Sequence, residues 1–109
     1  MGPNEGEARS TLTSTVGGVM TEEVGAVTGE LEVVTRPVSA GVFDVVVRYA
    51  GADEWYTVAG GPIRSDDVRG GSSPSDPWGL HGRVLERLAT PGRVVRGNEE
   101  PTNVYGLSP

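Results

Sequence analysis

Residues 42–49 read Val42-Phe43-Asp44-Val45-Val46-Val47-Arg48-Tyr49. Side chains alternate across a strand, so Phe43, Val45, Val47 and Tyr49 share one face. Val42 and Val46 share the other with Asp44 and Arg48. A strand that is apolar in front and behind reads as central, and both of its faces need cover.

Neighbours on either side support a sheet. Glu30-Leu31-Glu32-Val33-Val34-Thr35-Arg36 alternates and is expected to stop at Pro37, which cannot donate a ladder hydrogen bond. Beyond the turn Gly51-Ala52-Asp53, the run Glu54-Trp55-Tyr56-Thr57-Val58-Ala59 supplies a third strand. Short connections make the three an antiparallel meander. Trp55 and Tyr56 must then face opposite sides of the sheet, one packing in the core and one offering an exposed contact.

Asp76-Pro77 reads as a helix start, with a capping carboxylate followed by proline at the first helical position. The helix is expected over about 76–90, ending before Pro91-Gly92. At helical spacing Trp78, His81, Val84, Leu85, Leu88 and Ala89 fall on one side. Gly79 and Gly82 weaken this helix and are expected to let a strand backbone come close. The fold class is therefore α+β, a small antiparallel meander of three to five strands packed on one helix.

Farther out the pattern weakens. Residues 1–10 read as a disordered leader, and Met20-Thr21-Glu22-Glu23 looks like an internal start that would make the first 19 residues dispensable. Over 11–28, Val16, Met20, Val24 and Val27 would suit a helix. Gly17, Gly18 and Gly25 oppose it, so a Thr-rich strand turning at Gly17-Gly18 fits better. Arg93–Arg96 would add an edge strand. Residues 11–96 form the expected domain, and 97–109 a loose tail with Val104, Tyr105 and Leu107 as anchors.

Composition excludes whole classes of chemistry. The 109 residues contain no Cys and one His, and all nine basic residues are Arg. Thiolate nucleophiles, zinc–cysteine sites and lysine Schiff bases are ruled out. A net charge of -6 disfavours nucleic acid and anionic membranes and suits a basic partner. No run approaches the length of a membrane span and no signal peptide pattern is present, so the cytoplasm is expected. The arginine-only basic set, with no Gln, resembles coding from a GC-rich bacterial genome.

The candidate contacts for a ligand or partner are His81, Trp78, Arg64, Asp66, Asp67, Trp55 and Tyr56. His81 sits in the middle of the apolar helix stripe. It suits a pocket acid or base, or else a core histidine bonded to a carbonyl or to Asp66 or Asp67. Arg64, Ser65, Asp66, Asp67 and Arg69 form the densest charged cluster, within a nearly apolar-free loop over 64–76. Ser65, His81 and Asp66 contain the residue types of a hydrolase triad, but the Gly-x-Ser-x-Gly elbow is missing. Glycine pairs at 17–18, 60–61 and 70–71 lack dinucleotide-binding spacing and read as turns.

One helix can cover one sheet face. The other, with Val42, Val46 and one of Trp55 and Tyr56, is expected to need residues 11–28, the tail or a second molecule. The expectation is a small interaction or regulatory module, cofactor-free, pairing with a protein partner or with itself as a homodimer. A second expectation is a small-molecule binder or minor enzyme, its pocket lined by His81 and Trp78 under a lid of residues 61–75. In size and charge alone the chain also resembles bacterial immunity proteins, which neutralise basic toxins.

Overall fold

The computed structural model describes residues 7–39, 41–64 and 77–107, apart from the side chains of Pro77 and Trp78. Strands β1 (Ala8–Thr13), β4 (Glu30–Ser39), β5 (Val42–Tyr49) and β6 (Tyr56–Thr57) lie side by side in that order, all antiparallel. β7 (Ile63–Arg64) pairs with the start of β5. The single described helix α1 (Pro77–Ala89) packs on β1 and β4. The architecture is the α+β meander with one helix in the C-terminal half, and β5 is central within it.

The residues read as ambiguous are strands. β2 (Val19–Thr21) and β3 (Gly25–Val27) form a hairpin, and its backbone continues the main sheet. The Val58 amide donates to Val45 on one side, while Ala59 N and Glu22 N close a ladder between β2 and residues 57–59 on the other. Hydrogen bonding therefore runs from β1 through β4, β5, β6 and β2 to β3. Gly17 and Gly18 turn the chain into this hairpin as expected, with Gly18 at a positive φ of 82°.

Three expectations are corrected at the ends of elements. β1 begins at Ala8, within the stretch read as a leader, and Ala8, Val19 and Val27 are all buried. Ala8, Val19 and Val27 thus belong to the buried interior, and the first 19 residues include the whole of β1. β4 continues through Pro37 to Ser39, with the register shifting between those two. Glu30 bonds to Ala50 of the β5 side, so alternation turns the Pro37 nitrogen toward β1, where its missing hydrogen leaves the β5 ladder intact. Third, Val94–Val95 (β8) pairs not with the sheet edge but with Asn98–Glu99 (β9) in a separate hairpin.

The tail is partly docked. Thr102 bonds to Gly18 and to Met20, the Val104 amide donates to Ala59, and Val104 is buried. Gly60, at φ +104°, lies directly against the Tyr105 backbone nitrogen, where no side chain would fit.

The core lies between α1 and the inner sheet face. Leu31, Val33, Phe43, Val45 and Val47 meet Leu80, Val84 and Leu88, with Val19, Val58, Ile63 and Val104 completing it. On α1 the buried stripe is Leu80, His81, Val84 and Leu88. Leu80 joins the stripe and Ala89, expected inside, is exposed. Gly79 is also exposed, and a methyl group at Gly82 would meet open space. Neither glycine admits a strand backbone.

Candidate functional site

His81 is sealed. It is 1% exposed, with Nδ1 at 2.8 Å from Thr35 Oγ1 on β4 and Nε2 at 3.0 Å from Ser10 Oγ on β1. A neutral ring has one donor and one acceptor nitrogen, and two hydroxyls, each able to play either role, satisfy both. Burial holds the imidazole below its usual titration range. The partners expected for it, Asp66 and Asp67, lie outside the described residues, as do residues 65–75 of the expected lid and the Trp78 side chain. No group of acidic or histidine side chains among the described residues could hold a metal ion.

The outer sheet face is covered by its own side chains. Val34 is 3% and Val46 5% exposed, although no helix lies on that side among the described residues. Above them stands Trp55, with the Arg48 guanidinium 4.5 Å and that of Arg9 5.6 Å from the ring centroid. Glu32 accepts from Arg48 Nε at 2.6 Å and from Arg9 Nη1 at 3.1 Å. The Arg48 hydrogen bond is the main cause holding the Glu32 carboxyl below the usual range, Arg9 adding less. Residues from β1, β4, β5 and the turn before β6 thus interlock into one layer. It leaves a small groove of about 160 Å³ lined by Glu7, Arg9, Arg36 and Trp55, with Val34 and Val46 at its floor. On the outer face expected to need residues 11–28, the tail or a second molecule, Val34 and Val46 are thus covered within the chain, while Val42 stays half-buried.

A third cluster was not read in the sequence as a unit. At the end of the sheet Tyr49 is 42% exposed, and the half-buried Tyr56 donates its phenol to Glu54 Oε1 at 3.2 Å. Glu23, on the β2–β3 turn, accepts from the Thr57 amide and hydroxyl, each at 2.8 Å. These bonds, the amide first, lower the Glu23 carboxyl. Partial burial and then the Glu54 charge raise the Tyr56 phenol, with Tyr49 and Glu23 adding smaller pushes. Two carboxylates, Glu23 and Glu54, and the Tyr49 phenol thus lie within electrostatic reach of Tyr56. The signal for this was the identity of those turn residues, but only the Thr57 bonds bring residue 23 beside residue 54. Arg64 is exposed on β7, apart from this cluster's turns.

Among the described residues no helix is long and apolar enough to cross a membrane. Comparison with known protein families, with curated proteins and with solved structures returns no match.

Proposed function

We propose that the protein is a small cytoplasmic interaction module, self-associating, that binds a basic protein partner and performs no chemistry of its own. The observation that carries this reading is the preordered cluster of Tyr49, Tyr56, Glu23 and Glu54 at the sheet end. The exposed Tyr49 and half-buried Tyr56 supply contact area at low entropic cost, and fixed carboxylates select a cationic surface. The chain's surplus of negative charge favours encounter with such a partner. The reading as a pocket enzyme around His81 loses support because that ring is saturated and shut off from solvent.

The test begins with capture from a bacterial extract and continues with the purified partner. The expected partner is basic, its affinity falls as salt rises, and Glu23→Gln with Glu54→Gln weakens it at least tenfold. A partner of neutral or acidic charge, or one that binds the double variant equally well, overturns the reading.

A further inference from the structure

We infer that β1 is the self-association surface: two copies join edge to edge, antiparallel, about a two-fold axis passing between their Thr11 residues. This rests on the self-association part of the function proposed above and gives it a site.

Hydrogen-bond parity carries the inference. The Ser14 amide donates to the Gly29 carbonyl, making that facing pair a bonded one. Bonded and non-bonded pairs alternate along an antiparallel ladder. Leu12–Leu31, Ser10–Val33 and Ala8–Thr35 are consequently the bonded pairs of the β1–β4 register. Arg9, Thr11 and Thr13 turn their N–H and C=O groups the other way, to an edge that no described backbone group reaches.

Those three residues complement themselves. With Thr11 facing its own counterpart, Arg9 of each copy faces Thr13 of the other, and each facing pair exchanges two hydrogen bonds. The same register keeps inner side chains on the inner face, Ser10 opposite Leu12, so the sheet continues without flipping a side chain. No like charges meet, and threonine faces threonine at the axis, a favourable cross-strand pair. Both α1 helices then lie on one side of a continuous sheet, each over its own β1.

Other margins of the sheet are guarded where this one is not. The end of β4 carries Pro37 and a register shift, and β3 is only three residues long. β1 has six residues with no proline, lysine or bulge, and its one charge, Arg9, is drawn to Glu32 on β4, so the edge lacks most of the features that normally blunt one.

Sedimentation equilibrium of the full chain at micromolar concentration, with charge-swapped variants, tests this. Wild type is expected to be a dimer. Thr11→Lys and Thr11→Glu, each placing like charges across the axis at an exposed position, are expected to be folded monomers with dissociation constants raised at least tenfold. Mixed together, the two variants are expected to re-form a dimer. A monomeric wild type overturns self-association altogether. A dimer that survives Thr11→Lys, or variants that stay apart when mixed, overturns the β1 edge while leaving self-association standing. Thr11→Cys introduces the sole thiol of the chain, and a nitroxide there provides an independent distance. Facing Cα atoms about 5.5 Å apart predict a short separation between labels, and a long one overturns the register.

Discussion

The Arg48 guanidinium lies over the Trp55 ring, 4.5 Å from its centroid, and through Glu32 it is coupled to Arg9 on the far strand β1. A sheet with apolar residues on both faces ordinarily recruits a second layer. Here one indole and two guanidiniums, whose long stems shield aliphatic surface while their heads stay wet, close the outer side.

Trp55→Ala is expected to uncover Val34 and Val46 and to cost about 1–2 kcal/mol, the cation–π contacts and partial apolar burial together. The urea midpoint measures this. A loss no larger than that of an ordinary surface substitution would show that the ring is not the cover.

His81→Ala is expected to cost about 2–4 kcal/mol, because it opens a cavity and strands the hydroxyls of Ser10 and Thr35. Chemical denaturation at neutral pH reads the change. A functional ring in an open pocket would instead leave stability nearly untouched.

Acid should weaken the fold in two separate windows. Burial lowers the His81 titration below that of an unfolded histidine, so the unfolded chain binds the proton first. The stability of the neutral ring is complete above about pH 6.5 and is lost as pH falls from there toward the folded value. Glu32 and Glu23 are also lowered, so their contribution is present above the ordinary carboxylate range near pH 4.3 and disappears as pH falls below it. Urea midpoints across both windows, compared with His81→Gln, check the assignment. The variant should flatten the upper window alone, and a wild type that holds its midpoint down to about pH 5 contradicts it.

Gly82→Ala is expected to stabilise by about 0.5–1 kcal/mol, since the methyl would project into open space from a regular helix. Thermal denaturation gives the sign directly. A neutral or destabilising result would mean that another surface approaches α1 at that point.

Gly60→Ala should do the reverse. Its backbone has positive φ, and the added methyl would collide with the Tyr105 nitrogen. The expected outcome is release of residues 102–107, seen as faster amide exchange at Val104, whose donor bond to Ala59 would open. Unchanged protection at Val104 would rule out that close approach as the tail's anchor.

Period-two alternation identified β4 and β5, the run 54–59 contained the shorter third strand Tyr56–Thr57, and Asp76-Pro77 marked the helix start to within a residue. These signals are local, set by strand and helix geometry. What escaped was non-local. Ala8 belongs to the core only because β1 pairs with β4, and nothing in the polar residues beside it announces that partner. Likewise the arginines that cover the outer face come from positions 9 and 48, and their convergence on Trp55 depends on register rather than spacing. Leu80 belongs to the buried helix stripe and Ala89 does not, a shift that helical spacing alone does not show. His81 was placed correctly on the buried face, and its described partners, Ser10 and Thr35, come from strands whose approach to the helix no local spacing announces.

The bridge from Val19 to Thr102 and the bond from Val104 to Ala59 stitch early residues to very late ones. Closing such distant contacts is entropically slow, and they cannot form while the chain is still emerging. During synthesis β2 and Ala59 must therefore wait for residues 102–104 before their own hydrogen bonds to them can close. Newly made chains are thus expected to pass through a stage more open to aggregation than the finished fold.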